Sequence, residues 1–453
     1  MSISQRLIKY ITFPLWMLKD GYLKSLYYIN YYQNKQWCQS EERIKERQLA
    51  NLKALLVHAY EQTEYYKKIF DDAWFNPYKF KDFDELTSLP LLTKEIIRKN
   101  INKMLAKNIK KEELFEDSTG GSTGVPLVFY RDKECLFKRK AQELFFDRWI
   151  GCDIGDKIAL FVAPRHYPGG LKGIKQRFRN ATCERILAFN PYKTNEEYME
   201  WFYQQLIKFK PKVIKCFPNS LSIFAQFLKE RGYKGIKVKA ISCTGENLYS
   251  NQRQLFKEVF QCPIFEKYAC FEHGVISCEC SKHKGQHIFT DGVYLEFLNN
   301  DKPAKPGEIA DIIVTDLFNY GMPFIRYKIG DKGIYTKHKC SCGSHLPMIE
   351  KILGRDRDIL ISSNGEKKPG YLFVEVINKN RIPGQFQIIQ YSYKEVEVKI
   401  VPTAEFNKQH ENIIRKNFQK LLGHNINIIF RYVEEIPREP SGKYAYVKSE
   451  ISH

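Results

Sequence analysis

A run rich in glycine and hydroxyl side chains has the composition of a phosphate-binding loop. It consists of Ser118, Thr119, Gly120, Gly121, Ser122, Thr123 and Gly124. Glycines allow tight turns with positive φ, and hydroxyls donate hydrogen bonds, so such a loop can wrap phosphate oxygens. The Gly-Lys-Ser/Thr ending of a Walker loop is missing, and flexible polar linkers share this composition. The run alone therefore leaves a nucleotide loop and a linker both open.

A second group of residues could bind a metal ion. Cys278-Glu279-Cys280 precedes His287, Cys340-Ser341-Cys342-Gly343 follows, and His283, His338 and His345 lie nearby in sequence. Zinc prefers four thiolate or imidazole ligands in a tetrahedron, normally supplied as pairs on short turns. Cys-x-Cys is tighter than the usual Cys-x-x-Cys spacing, so a set of reduced thiols without a metal is the alternative interpretation.

The elements that must position these residues alternate between strand and helix over 157–270. Apolar runs of strand length occur at Ile158–Val162, Val213–Phe217 and Val238–Ser242, and helical stretches occur at Leu221–Leu228 and Gln254–Phe260. Such alternation predicts parallel βαβ units and an α/β core. In such sheets ligands bind at the carboxyl ends of the strands.

The flanking regions have different patterns. Residues 1–115 show the three- and four-residue apolar spacing of helices, with Thr93 as a predicted N-cap. Residues 292–336 resemble β-hairpin material, including a predicted strand at Phe324–Tyr327. The last hundred residues combine short strand and helix patterns, typical of a small α+β unit.

These patterns predict two domains. The first spans 1–353 and contains a helical segment (1–115) and a nucleotide-binding core (116–353) that includes the metal cluster. The second is a mobile C-terminal domain over 354–453, joined at the charged, glycine-led hinge Gly354–Asp358.

Composition limits the classes of partner and the compartment. The formal charge is +20, but lysines are spread along the chain among acidic residues, so we expect a solvated surface and no nucleic-acid partner. Twelve cysteines without the spacing of a disulfide framework predict a reducing, cytoplasmic location. The apolar run Ile11–Leu18 is short and contains a proline, which favours a packed helix over a signal peptide. Peripheral membrane contact through the aromatic, basic stretch up to Tyr32 is the weaker alternative.

Five segments, in order, resemble motifs of the adenylate-forming superfamily. They are the 118–124 loop, Tyr268-Ala269-Cys270-Phe271-Glu272, Tyr327-Lys328-Ile329-Gly330-Asp331, Gly354-Arg355-Asp356-Arg357-Asp358 and Pro440-Ser441-Gly442-Lys443. Leu56-x-His58-Ala59 and Tyr65-Tyr66 are similar to the phenylacetate–CoA ligase branch and its CapK-like relatives in capsular polysaccharide biosynthesis. The resemblance covers nearly the whole chain. It implies an α/β fold with a large, multi-subdomain N-terminal domain of parallel sheets, helices and a β-rich part, and a small α+β C-terminal domain.

The resemblance also implies an activity. A carboxylic acid and Mg-ATP would give an acyl-adenylate and pyrophosphate, and coenzyme A would accept the acyl group. The catalytic residues would be Glu272, which would hold Mg²⁺, and Lys443, which would bridge the acyl and α-phosphate oxygens as a mobile cation. The residues that would contact the nucleotide are Ser118, Thr119, Gly120, Gly121, Ser122, Thr123, Gly124, Thr244, Gly245, Glu246, Tyr268, Asp331 and Arg355.

Relatives of this kind often carry Glu-Cys, Gly-x-His and Cys-x-Cys-Gly segments, which match Glu279-Cys280, Gly285-Gln286-His287 and Cys340-Ser341-Cys342-Gly343. The resemblance therefore implies a structural zinc site of Cys280, His287, Cys340 and Cys342, with Cys278 as the substitute ligand. Two positions depart from the superfamily pattern. Ala269 replaces a frequent glycine and would tighten the nucleotide pocket, and Arg357 replaces the usual Asp or Lys of the hinge.

Three alternatives stay open. The chain could transfer AMP itself, it could deliver the acyl group to an acceptor other than CoA (as in surface polysaccharide biosynthesis), or it could be a zinc-stabilised nucleic-acid-binding protein without catalysis. The acid itself is not specified. Residues predicted to line its pocket are Phe217, Asn219, Ser220 and Phe271.

Overall fold

The computed structural model describes residues 2–35, 39–119, 126–162, 174–193, 195–355, 358–380, 382–437 and 444–451. The helices are α1 (Ile3–Leu7), α2 (Phe13–Lys19), α3 (Ser25–Lys35), α4 (Glu41–Gln62), α5 (Glu64–Asp72), α6 (Lys94–Met104), α7 (Lys133–Trp149), α8 (Ile174–Arg179), α9 (Glu196–Phe209), α10 (Pro218–Glu230), α11 (Ser250–Phe260), α12 (Tyr371–Lys379) and α13 (Lys408–Leu422). The strands are β1 (Phe115–Ser118), β2 (Val128–Arg131), β3 (Ile158–Phe161), β4 (Ile186–Phe189), β5 (Val213–Cys216), β6 (Ala240–Thr244), β7 (Ile264–Cys270), β8 (Gly274–Glu279), β9 (Gln286–Ile288), β10 (Val293–Asn299), β11 (Lys302–Pro303), β12 (Ala310–Asp316), β13 (Tyr327–Thr336), β14 (Met348–Arg355), β15 (Ile359–Ile361), β16 (Lys367–Pro369), β17 (Gln385–Ser392), β18 (Glu395–Val401), β19 (Asn427–Tyr432) and β20 (Val447–Ser449).

The N-terminal region is helical, as the apolar spacing predicts. Helix α4 buries Leu52, Leu55 and Leu56 against the large sheet. Thr93 caps α6, because its hydroxyl accepts a hydrogen bond from the backbone N–H of Ile96 at 3.3 Å. A π-helical turn over Ile8–Thr12 joins α1 to α2.

Helix α2 packs against the protein through one face and exposes apolar side chains on the other. Phe13, Trp16 and Met17 are buried, whereas Leu15 and Leu18 are exposed. Membrane contact by this region stays a prediction. No helix among the described ranges is long and apolar enough to cross a bilayer.

Within the described residues, one large mixed sheet has the strand order β11-β10-β12-β13-β14-β9-β8-β7-β6-β5-β3-β4. The strands from β7 to β4 are parallel, and β7 pairs with β8 in antiparallel fashion. Strand β5 buries Val213, Ile214 and Cys216, which is typical of a parallel strand covered on both faces. The sheet therefore combines the predicted α/β core with the predicted β-rich part.

A small sheet with the order β19-β18-β17-β20 follows in the C-terminal region. It shares a separate hydrophobic core with α12 and α13, which includes Phe373, Val398 and Phe418. This small α+β unit agrees with the predicted fold class. The boundary at 353/354 and the mobility of the unit remain predictions.

The strand predicted at Phe324–Tyr327 is wrong for most of its length, because β13 begins only at Tyr327. Arg326 has a left-handed backbone with φ of 53°, which strands do not tolerate. Its guanidinium pairs with Glu296 at 2.9 Å, and Phe324 and Ile325 are buried without strand pairing.

Candidate active site and candidate metal centre

Three predicted nucleotide residues, from three strands of the large sheet, meet at one place. The hydroxyl of Tyr268 on β7 donates a hydrogen bond to Oδ2 of Asp331 at 2.6 Å. Arg355 lies opposite Asp331 in the β13–β14 pairing, with its Nε 3.6 Å from Oδ1. Burial, and then the Asp331 carboxylate, raises the pKa of Tyr268 well above its usual value, so the phenol remains a donor. In this arrangement the Asp331 carboxylate can still accept further hydrogen bonds.

Glu272 lies in the turn between β7 and β8 and is 6% exposed. Its Oε1 accepts a hydrogen bond from the hydroxyl of Tyr327 at 3.1 Å. No lysine or arginine among the described residues lies within 4.0 Å of its carboxylate. A buried carboxylate without a basic partner is costly, and its oxygens are the ligands that Mg²⁺ prefers. The position therefore fits a divalent cation.

The turn after β6 contacts two distant segments. Gly245 has φ of 79°, which favours glycine at this position. The carboxylate of Glu246 accepts the backbone N–H of Asn219 through Oε2 at 3.1 Å and that of Tyr444 through Oε1 at 3.0 Å. Glu246 thereby joins the start of α10 to the segment that leads into β20.

These residues line one cavity of about 380 Å³, which we call the interdomain cavity because its wall combines the large sheet with the C-terminal unit. The predicted residues in its wall are Thr119, Thr244, Gly245, Glu246, Tyr268, Glu272, Asp331 and Arg355. Phe217, Asn219 and Phe271 also line it. Ser220 is not in this wall, because it is fully buried near the start of α10, and its role in the pocket for the acid stays a prediction.

Part of the predicted site lies outside the described residues. This holds for Gly120, Gly121, Ser122, Thr123, Gly124 and Lys443, and also for Arg357. At the start of the loop, Thr119 reaches the interdomain cavity, whereas Ser118 is exposed on β1 and is not in its wall. The Thr119 hydroxyl accepts the N–H of Leu127 at 3.0 Å, and its own N–H donates to the Leu127 carbonyl at 3.0 Å. The two ends of the loop are thus held together.

The four predicted zinc ligands are gathered in one place, which we call the cysteine–histidine cluster. The ligand atoms of Cys280, His287, Cys340 and Cys342 all lie within 4.8 Å of one another. Cys278 is buried on β8 and is not a member of the cluster. The ion itself stays a prediction.

The spacing of the ligand atoms fits a tetrahedral zinc. Sγ of Cys280 and Sγ of Cys340 are 3.6 Å apart, close to the separation of about 3.8 Å that two Zn–S bonds give at the tetrahedral angle. Sγ of Cys342 lies 3.3 Å from Nε2 of His287, whose Nδ1 is 3.3 Å from the Leu346 carbonyl. That second contact is the usual way of orienting a histidine ligand. Burial lowers the pKa of His287, which favours the neutral ring that binds metal.

One glycine is required beside the cluster. Gly285 has φ of 117°, and a Cβ on it would lie 2.7 Å from the Ile349 carbonyl oxygen. The backbone can therefore enter β9 at this point only without a side chain.

Several cavity residues were missed by sequence reasoning. Tyr249, Tyr371, Tyr444 and Tyr446 line the interdomain cavity. The hydroxyl of Tyr446 donates to Oδ1 of Asn219 at 2.7 Å across 227 positions of sequence. Their only signal in the sequence was the position of Tyr444 and Tyr446 directly after the lysine motif.

Comparisons with known proteins agree with this architecture. A family model described as the CapK C-terminal domain matches residues 360–450. Protein CapK of Staphylococcus aureus is 26% identical over 385 residues, which cover 81% of this chain and 80% of that protein. A phenylacetate-coenzyme A ligase of Thermus thermophilus is 23% identical over 381 residues, which cover 81% of this chain and 83% of that protein.

Among solved structures, 2-hydroxyisobutyryl-CoA ligase has a similar fold. Its postadenylation state with 2-HIB-AMP gives a TM-score of 0.73 at 17% identity, covering 92% of this chain and 91% of that chain. Its thioesterification state, with the same identity and coverage, gives 0.60. The arrangement of the present chain is thus more similar to the postadenylation state. The chain is thus similar to CapK and to the phenylacetate-coenzyme A ligases, its residues 360–450 match the model of the CapK C-terminal domain, and it has the fold of the adenylate-forming CoA ligases.

Proposed function

We propose that this chain uses ATP to activate a carboxylic acid as its acyl-adenylate and releases pyrophosphate. The observation that carries the proposal is the meeting of Tyr268, Asp331, Arg355 and Glu272 in the wall of one cavity. Proteins that are similar to this chain in sequence and fold support the same chemistry, since they include phenylacetate-coenzyme A ligases and a CoA ligase with a bound acyl-adenylate.

The reaction needs positioning and charge neutralisation more than covalent chemistry. A carboxylate oxygen attacks the α-phosphorus of ATP, a P–O bond forms, and the bond to the β-phosphate breaks so that pyrophosphate leaves. Both reactants are anions, so donors and cations must hold them in line. We assign the ribose hydroxyls to Asp331, the adenine side to Tyr268 and the 244–246 turn, and support of the ribose end to Arg355.

We assign the phosphates to the loop that begins at Thr119 and assign Mg²⁺ to Glu272. When bound, the ion would neutralise phosphate charge. Lys443 would supply a mobile cation for the acyl and α-phosphate oxygens. The sequence position of Lys443 directly before Tyr444 supports this role, because Tyr444 lies in the cavity wall and its backbone N–H donates to Glu246.

Coenzyme A is the proposed acceptor of the acyl group. Phenylacetate-coenzyme A ligases among the relatives, and a complex of 2-hydroxyisobutyryl-CoA ligase with 2-HIB-AMP and CoA, support it. The second candidate is an acceptor other than CoA, because the family model that matches the C-terminal unit is that of CapK.

The cysteine–histidine cluster is proposed as a structural zinc site. Four protein ligands would close the coordination sphere and leave no position for substrate. None of the described cysteines forms a disulfide, which supports the proposal of a reducing, cytoplasmic location.

The test is ATP–pyrophosphate exchange across a panel of aryl, fatty, amino and sugar acids. We expect exchange that depends on one class of acid, followed by loss of free thiol when CoA is added. If label from the α-phosphate, rather than the acyl group, moves to the acceptor, the chain is an adenylyltransferase instead. Salt-dependent binding of RNA without acid-dependent exchange would contradict the proposal in favour of nucleic-acid binding.

A further inference from the structure

A second cavity of about 540 Å³ lies between β7 and α7, and we call it the α7 cavity. It shares Thr244, Lys267 and Ala269 with the wall of the interdomain cavity. An acid held in the α7 cavity would therefore lie directly beside the nucleotide.

The wall of the α7 cavity is rich in cations. Its basic residues are Arg131, Arg139, Lys140, Arg179 and Lys267, and its acidic residues are Asp20 and Glu143. The wall also contains apolar residues, Met17, Leu136 and Val275, which can pack against the hydrocarbon part of an acid. The excess of positive charge favours an anionic ligand.

Four of the five cations already have carboxylate partners. Arg179 pairs with Asp20 at 2.6 Å, Lys140 with Glu143 at 3.7 Å, and Arg139 with Asp316 at 2.5 Å. Arg131 pairs with Asp117. These ion pairs neutralise four of the five cations and leave one cation without a carboxylate partner among the described residues.

Lys267 is that cation. It is half-buried, and no carboxylate of the described residues lies within 4.0 Å of its ammonium group. The positive charge of Lys267 acts on Glu143 in the same wall. Lys140, Lys215 and Lys267 together lower the pKa of Glu143 to about 2, although burial opposes this shift. A half-buried ammonium group in the wall of a cavity is well placed to bind an anionic ligand.

Arg139 is a fixed part of the same wall. It is 8% exposed and packs beside Gly274, where a Cβ would lie 3.0 Å from its Nη1. Its Nη2 donates to Asp316, and its Nε and Nη1 are shielded from solvent. Lys267 is therefore the side chain of this wall that is left to bind an anion.

We propose that the acid activated by this chain carries a second anionic group, and that Lys267 binds this group in the α7 cavity. This inference rests on the proposed function. It names the substrate class as dicarboxylic or similarly charged acids, and it makes Lys267 the residue that determines specificity.

Acids of matched length test the inference. Hexanoate, adipate and 6-aminohexanoate differ in the group at the far end, which is neutral, anionic or cationic, and phenylacetate and 4-carboxyphenylacetate form a second pair. In ATP–pyrophosphate exchange we expect kcat/KM at least about tenfold higher for the diacid of a pair, the range of one buried charge pair. Lys267→Met should remove that preference and change the monoacid by less than about threefold. Lys267→Glu should transfer it to 6-aminohexanoate.

The matched control is Lys399→Met, since Lys399 is also a half-buried strand lysine but belongs to the small sheet. It should keep the wild-type preference. Equal losses for diacid and monoacid in Lys267→Met would mean that Lys267 contacts the reacting carboxylate or phosphate, and would overturn the inference. So would a wild-type protein that prefers neither diacid.

Calorimetric titration of the same acids without ATP separates this inference from the proposed function. If no acid supports exchange, the proposed function fails. Diacid binding that Lys267→Met weakens about tenfold would then still support the charge assignment, and equal or absent binding of diacids and monoacids would overturn it.

Discussion

The interdomain cavity and the cysteine–histidine cluster are built on the same sheet, but they differ in how far apart in sequence their residues lie. The cluster takes its ligands from the ends of β8 and β9 and from the turn before β14, which pair with one another. The cavity combines β6, β7, β13 and β14 with the segment around Tyr444, far away in sequence. The cluster is complete within one packed unit, whereas the cavity is complete only when two units meet.

This difference indicates what each site can do. Four ligands within one rigid sheet can hold an ion and stabilise the local backbone, but they leave no opening for chemistry. A cavity divided between two units can admit substrates and close on them. We therefore expect changes in the cavity to affect activity without affecting stability, and changes in the cluster to do the reverse.

Glu272→Gln should have the largest effect on activity. The amide keeps the shape and an acceptor for the Tyr327 hydroxyl but removes the charge assigned to Mg²⁺. We expect ATP–pyrophosphate exchange to fall by roughly two to three orders of magnitude, as for loss of one charge-stabilising group. The Tm should stay within about 2 °C. Glu350→Gln, at an exposed position on β14, is the control, and full exchange by Glu272→Gln would remove Glu272 from the mechanism.

Cys340→Ser should act on stability instead. Loss of one thiolate weakens metal binding, whose free energy is coupled to folding, so we expect a Tm lower by about 5 °C or more. Exchange per folded molecule at low temperature should stay within about threefold. Cys278→Ala, two positions from Cys280 and outside the cluster, should keep one equivalent of zinc by elemental analysis. Wild-type protein without bound metal would contradict the cluster assignment.

The sequence predicts the cysteine–histidine cluster more completely than it predicts the interdomain cavity. The four ligands of the cluster occur as short, paired segments, and the α/β core follows from apolar runs such as Val213–Cys216, because both depend on local spacing. The contacts of Tyr446 with Asn219 and of Tyr444 with Glu246 join residues about two hundred positions apart, and no periodicity encodes such a pairing.

Two further features illustrate the same limit. Ser220 is fully buried near the start of α10 and lies outside the wall of the interdomain cavity, which depends on helix rotation. Lys267 resembles any other lysine in a lysine-rich chain. Only the packing of α7 against β7 shows that no described carboxylate pairs with its ammonium group.

Asp331→Asn should have an intermediate effect on the cavity. Asp331 accepts from Tyr268 and lies beside Arg355, so the amide loses its charge and one acceptor for the ribose hydroxyls. We expect KM for ATP to rise about tenfold, with a smaller change in kcat, as for a lost hydrogen bond to a charged group. Asp301→Asn, in the exposed turn before β11, is the matched control. An unchanged KM would separate Asp331 from nucleotide binding.

Glu246→Gln should have the smallest effect and should divide the two half-reactions. One of its oxygens accepts the N–H of Tyr444, and the other accepts that of Asn219, so an amide can serve only one of them well. We expect exchange to fall about threefold to tenfold, as for one weakened charge-assisted hydrogen bond. The contact to Tyr444 joins the turn after β6 to the C-terminal unit, so the rotation predicted for that unit between the half-reactions would break it. Thioester formation from preformed acyl-adenylate should therefore change less than twofold, and a parallel fall in both half-reactions would mean that Glu246 acts through the large sheet alone.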